Sequence, residues 1–373
     1  MHKNLLTLRK QETLTLTILT ICLWFISTSV LANGFTPGDP PHMPEDTITP
    51  LNVEFGIQHQ YPATTTTYYI YLPLIRRDRG GLSVNLQNRQ DSLDFFLEQY
   101  LTSEGVAINW TGNHSSCDPG TTDQNFRLAV LRRINYFRAM AGVPADITFS
   151  DESNLKAQAA ALMMSVNRQL SHAPPTSWIC YSTNGAEGAG SSNLYLGVYS
   201  WNAITGYMLD PGGGNYPVGH RRWILYPQTQ VMGTGDVPYT QDYPASNALR
   251  VFDSHMWEQT PPTREEFVSW PPPGYVPYQV VFPRWSFSYT NADFSGASVT
   301  MESNGSNLSV NQADVVNGYG ENTLVWIPMG LNDWDNWPLP AVDTTYTVTI
   351  HNVVVNNQNR DFTYNVIVFN PIP

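Results

Sequence analysis

Residues 125–144 read NFRLAVLRRINYFRAMAGVP, and this stretch decides the fold. Its apolar positions Phe126, Val130, Ile134, Phe137 and Ala141 step by four, four, three and four, so they share one helix face, which Gly142 and Pro144 end. A second helix is predicted after Ser150, with Asp151 and Glu152 in its first turn, where the helix dipole favours acids. Its apolar stripe is Leu155, Ala159, Leu162, Met163 and Val166, and Ser171-His172-Ala173-Pro174-Pro175 breaks the chain behind it. A third helix is expected from Trp201 to Leu209, with Trp201, Ile204 and Met208 inward and Asp210-Pro211 as its stop. Val231–Val237 and Leu249–Phe252 read as short strands. Helices followed by strands in this span predict a compact α+β domain over residues 115–257.

Working outward, residues 258–277 (EQTPPTREEFVSWPPPGYVP) read as a Pro-rich linker. Beyond them alternating runs follow at Tyr278–Phe282, Trp285–Tyr289, Ala297–Glu302, Leu324–Ile327, Tyr346–Val355 and Phe362–Phe369, separated by turns rich in Asn, Gly and Asp. They predict an all-β, immunoglobulin-like sandwich over residues 278–373, without a cysteine. On the other side, residues 65–114 form an N-terminal extension with a strand at Thr65–Ile75 and a short helix at Asp91–Thr102. Residues 33–64 read as a Pro/Thr-rich linker.

Residues 1–32 read as a secretory signal. Lys3, Arg9 and Lys10 precede an apolar, hydroxyl-rich run from Thr13 to Leu31, with a cut expected after Ala32. No later stretch is apolar for long enough to span a bilayer, so the mature chain is expected to be soluble and secreted. The full chain of 373 residues carries a formal net charge of −12; losing Lys3, Arg9, Lys10 and Glu12 takes the mature chain to −14. That sign argues against nucleic acid and anionic lipid headgroups as partners. Charged residues make up 13%, about half the usual quarter, while the hydrophobic share of 42% is enough to build sizeable cores, which excludes general disorder and coiled coil. Of three cysteines, Cys22 leaves with the signal, and Cys117 and Cys180 are expected to pair as a disulfide in an oxidising compartment.

Common catalytic motifs are missing. There is no HExxH and no GxSxG; the run from Gly188 to Ser192 has the wrong order. Asn332–Trp337 lacks the turn glycine and closing glutamate of a calcium loop, and Gly212-Gly213-Gly214 lacks a phosphate-loop lysine. The histidines remain, with His172 behind the second helix and His220 behind a Gly-rich loop, where imidazole beside carboxylates can take a metal or move a proton.

Val218-Gly219-His220-Arg221-Arg222-Trp223-Ile224-Leu225, with His172 upstream, resembles the bacterial branch of the CAP superfamily (cysteine-rich secretory, antigen 5 and pathogenesis-related 1 proteins, with an SCP-like extracellular domain). Arg133-Ile134-Asn135-Tyr136-Phe137-Arg138 is similar to the family's early helix, and the Ala-rich run from Lys156 to Ala160 leading to His172 to its second. The resemblance covers roughly residues 117–257. It implies an α-β-α sandwich with a cleft of two histidines and two acids, which in some members hold a divalent cation. Carried over, the histidines are His172 and His220, and Asp210, three residues beyond Tyr207, is one acid. The other is open: the alignment puts Ser192 there, whereas Glu187 offers a carboxylate five residues earlier.

The resemblance therefore implies His172, His220, Asp210 and Glu187 as ligands of zinc or calcium, held weakly if one carboxylate is lost. It makes a secreted module binding a lipid, peptide or cell-wall ligand the leading expectation. A peptidase-like hydrolase would use His172 or His220 as general base with Asp210 or Glu187 as its acidic partner. A structural or adhesive surface protein with a vestigial cleft is the third reading.

Overall fold

The computed structural model describes residues 81–371. The expected signal, the linker 33–64 and the strand at Thr65–Ile75 lie outside the described residues. Within them Arg89–Phe95 (α1) leads through a π-turn, Phe96–Tyr100, to Gln124–Ala141 (α2). Then come Thr148–Phe149 (β1), Asp151–Asn167 (α3), Thr183–Gly190 (α4), Ser192–Leu196 (β2), Ser200–Leu209 (α5), Gly219–Ile224 (α6), Val231–Val237 (β3) and Ser246–Arg250 (β4). The helix anticipated before Gly142 starts and stops where its signals lie; the one after it starts at its signal but ends at Asn167, with Arg168 in the left-handed region, ahead of the break at Ser171. Asp123 caps α2 by accepting from the Asn125 N–H, Gly142 ends it in the left-handed region, and Ser150 caps α3.

The strands form one sheet in the order β1-β3-β4-β2, parallel only between β1 and β3. Side-chain alternation along β4 sends Ala248 to one face and Leu249 to the other, so the sheet separates two cores. Ala157, Ala160 and Ala161 of α3, with Ala189 of α4, cover the first. Val130, Ile134 and Phe137 of α2, with Ile204 and Met208 of α5, belong to the second. The result is three layers, helix-sheet-helix, in a mixed α and β chain.

The stripe read for α3 needs correction at one position. Ala159, Leu162, Met163 and Val166 are buried as read, but Leu155 is exposed and the buried face widens instead to Ala157, Ala160 and Ala161. The cause lies in the sheet: a Cβ on Gly235 would fall 2.1 Å from the Ala157 carbonyl carbon, so α3 sits backbone-close on β3 and only small side chains fit between them.

The C-terminal region holds two further sheets. One has the order β10-β11-β7-β5, the other β6-β13-β12-β8-β9, built from Val268–Trp270 (β5), Gly274–Pro277 (β6), Trp285–Ser288 (β7), Ser298–Ser303 (β8), Ser306–Leu308 (β9), Val310–Gln312 (β10), Thr323–Pro328 (β11), Thr344–Val355 (β12) and Gln358–Phe369 (β13). They face each other through aromatic contacts such as Phe287 with Phe362 at 5.2 Å and Trp285 with Tyr346 at 5.8 Å. β5 and β6 fall inside the stretch read as a linker, since Val268, Trp270 and Val276 are buried there. Conversely Tyr278–Phe282, expected as a strand, contains a 3-10 turn at Tyr278–Val280, because Pro277 and Pro283 bracket it and cannot donate to a ladder.

The two-sheet region shares its core with α2: Phe137 meets Trp270 at 5.2 Å, and the Arg264 guanidinium donates to the Ala139 and Met140 carbonyls. The N-terminal extension joins both. Tyr100 packs on Tyr136, and the Tyr275 N–H donates to the Leu86 carbonyl.

Candidate functional site

The site begins where α5 ends. Asp210 closes that helix in the left-handed region and is 1% exposed, so its carboxylate must be satisfied by protein. Both oxygens go to one residue: Oδ1 lies 2.7 Å from His220 Nδ1, and Oδ2 accepts the His220 backbone N–H at 3.0 Å. His220 stands in the first turn of α6, its side chain 24% exposed and its ring 5.4 Å from that of Tyr207. The pairing fixes the ring with Nε2 free of any hydrogen-bond partner among the described residues.

A buried polar network holds this arrangement from below. The Tyr207 hydroxyl, whose pKa burial pushes well up, donates toward Asn247 Oδ1 at 2.8 Å and lies 3.0 Å from the Asn193 carbonyl. Asn193 Nδ2 in turn donates to the His220 carbonyl. Asn247 Nδ2 donates to Asp236, a fully buried acid raised by desolvation that also accepts the Ser200 N–H at the start of α5. The C-terminal region clamps from the side. Arg284 donates to the carbonyls of Asp210 and Gly212 and pairs with Asp333, which accepts the Gly212 N–H. Arg221, beside His220, spans Met208 O and Arg284 O, and its burial lowers its pKa to about 9.

His172 enters from the other side, exposed, with Nδ1 3.0 Å from the Ala189 carbonyl at the end of α4. Two lobes meet at the histidines, both lined by His172, His220 and Asn215. One, of about 310 Å³, is bounded by Ser192, Trp223, Phe252 and Tyr319. The other, of about 400 Å³, is bounded by Leu170, Leu194, Leu196 and Trp334.

Of the four residues implied as metal ligands, the structure brings together the two histidines and Asp210, but Asp210 spends both oxygens on His220. Glu187 stands outside the lobes, half-exposed and ion-paired with Lys156 at 2.9 Å. Ser192, the other reading of that position, does line the cleft; its hydroxyl is buried and has no hydrogen-bond partner among the described residues. Two imidazoles are a poor donor set for a resident divalent ion. Among the described residues no group of three or more His, Cys, Asp or Glu is placed to hold a metal. The expected disulfide, Cys117–Cys180, is formed.

Sequence reasoning missed the roles of Tyr319, Trp334, Arg284 and Asp333, which come from loops of the C-terminal region; Asp333 and Trp334 were noticed only as part of an incomplete calcium loop. It also missed what the Arg133–Arg138 motif does. Arg138 donates to the carbonyls of Pro144, Ile224, Tyr226, Pro227 and Thr229, tying α2 to the chain after α6, and Asn135 pairs with both backbone groups of Ile147.

The three-layer domain coincides with the part of the chain that a family model matches: residues 131–249, from α2 to β4, match the model of CAP, the cysteine-rich secretory protein family. No curated protein matches the sequence at a significant level. Among solved structures, 27% of the chain is similar to 92% of PcoC, a methionine-rich copper resistance protein from Escherichia coli. The identity is 17% and the TM-score 0.20, and at that score the likeness carries no argument.

Proposed function

We propose that this is an exported CAP-domain protein that binds an elongated, partly apolar ligand, a lipid or apolar peptide of the cell envelope, across His220. The observation that carries the reading is the lobe of Leu170, Leu194, Leu196 and Trp334, which opens onto the His220–Asp210 pair. Apolar walls would take a chain or side chains, and His220 Nε2 would meet the polar group at their end. Export rests on the signal-like residues 1–32, and the disulfide accords with an oxidising compartment. We further read the facing C-terminal sheets as an immunoglobulin-like sandwich that docks the protein to a surface or partner, with its first strand at Val268. The test is titration of the mature chain with cis-parinaric acid and with an apolar hexapeptide, beside a His172→Ala, His220→Ala variant. Saturable one-to-one binding weakened in the variant supports the reading; binding equal in both refutes it.

A hydrolase is the second reading, favoured by the buried Asp210 that orients His220 as a general base. Ser192 Oγ is hydrogen-bonded to neither imidazole, so water would be the nucleophile and would give its proton to Nε2. Turnover of ester or peptide substrates that His220→Ala abolishes would establish it.

A further inference from the structure

A groove of about 790 Å³, larger than either lobe of the histidine cleft, lies where the chain leaves the CAP domain and enters the two sheets. Trp257 forms one lip. It is 85% exposed, yet it sits on a pinned turn. Asp253 caps that turn by accepting the His255 N–H, and also accepts the N–H groups of Gln230 and Val231. The Tyr226 hydroxyl donates to the Met256 carbonyl. An indole held out to solvent by such anchoring is a preorganised contact surface. Phe267, Tyr289, Asn291 and Asn322 also line the groove.

The polar lining has one sign. Glu258, Glu266 and Glu321 line the groove and no Lys, Arg or His is among the lining residues, although Arg360 reaches its edge against Glu266 and the Tyr289 hydroxyl. All three acids are engaged: Glu266 pairs with Arg360 at 3.6 Å, Glu258 accepts from Gln230, and Glu321 accepts from Gln228 and Thr260. Burial raises Glu321, and its carboxyl oxygens can hydrogen-bond a hydroxyl. Beside it Gln228, 7% exposed, donates from Nε2 to Thr260 and Glu321 and has no partner for Oε1 among the described residues. The lining thus offers oxygen acceptors and amides, and the cation at its edge, Arg360, is already engaged by Glu266 and Tyr289.

We propose that this groove binds a neutral saccharide chain, with Trp257 stacked on the apolar face of one sugar ring and the amide and carboxyl oxygens accepting from its hydroxyls. The site is separate from the histidine cleft. The test is calorimetric titration of the mature chain with chitohexaose and cellohexaose, beside polygalacturonate and octalysine. At least one neutral hexasaccharide should bind saturably. Trp257→Ala should weaken it about tenfold or more, Trp257→Phe should recover most of the affinity, and His220→Ala should leave it unchanged. Because Trp257 is exposed, the thermal midpoint of both Trp257 variants should match that of the parent chain. Absence of binding by both neutral sugars, binding insensitive to Trp257→Ala, or binding of octalysine alone would each overturn the proposal.

Discussion

The two helical layers that cover the central sheet follow opposite packing rules. On the α3 side, alanines meet glycines and backbone lies on backbone, as at Gly235 against Ala157 and at Gly188, whose added Cβ would fall 2.2 Å from the Lys156 carbonyl oxygen. On the α2 side, aromatic rings and the fully buried Arg133, Arg138 and Arg221 fill the space, and the core runs on without a break into the C-terminal sheets. The first layer is self-contained, with the disulfide at its edge. The second is a joint between two regions, and the His220–Asp210 pair sits on that joint. A site placed there can draw its walls from both regions, which a site on the closed layer could not.

The sharpest way to break this contrast is Gly235→Val. A side chain there has no space against helix backbone, so a loss of more than about 4 kcal/mol or failure to fold is expected. A volume-keeping swap on the other layer, Met208→Leu, should cost less than about 1.5 kcal/mol. Equal losses in chemical denaturation would erase the distinction. Next in size is the disulfide on the α3 side. Cys117 and Cys180 are 63 residues apart, so replacing both by serine should lower stability by about 4 kcal/mol on the loop-closure argument. A loss under about 1 kcal/mol would mean that the layer holds without it.

Arg284→Met probes the joint itself. It strips hydrogen bonds from the carbonyls of Asp210 and Gly212 and leaves Asp333 without its cation, so about 2–4 kcal/mol should be lost. Ligand affinity in the His220 cleft should fall as the Asp210 turn loosens. Affinity unchanged at lowered stability would show that the clamp serves folding alone.

Helices α2, α3 and α5 were legible because each carries a periodic face and a chemical stop: Gly142, the break at Ser171–Pro175, and Asp210-Pro211. The long alternating strands β12 and β13 were legible for the same reason. What stayed hidden depended on contacts between distant residues. Leu155 belongs to a plausible stripe until Gly233 and Gly235 draw the alanine face inward. Val268 and Val276 look like linker because prolines surround them, and only their burial under α1 and α2 makes them strands. Asp210 and His220 were legible as candidates, but their pairing, which removes Asp210 from a ligand's reach, was not. Trp334 lies more than a hundred residues beyond the histidines it neighbours.

The smallest expected effect is one of pH. Burial raises Glu321 above the ordinary glutamate range, so the folded state holds its proton more tightly than the unfolded state does. The stability this adds is complete below the unfolded pKa and is lost as pH rises through the folded one. Relative to Glu321→Gln, the parent chain should lose a small part of its stability as pH rises from the acid range toward neutral. Denaturation curves that shift identically with pH in the two chains would argue against a desolvated Glu321.

The claim that the histidine cleft is a joint product of the CAP domain and the C-terminal sheets is tested most directly by a Tyr319→Ala, Trp334→Ala variant. Its titration with cis-parinaric acid would be set beside that of the parent chain. Trp334 is 63% exposed and Tyr319 41%, so the variant should fold normally. The account predicts affinity reduced about tenfold or more with the histidines intact. Affinity equal to that of the parent chain would contradict it, and would return the cleft to the CAP domain alone.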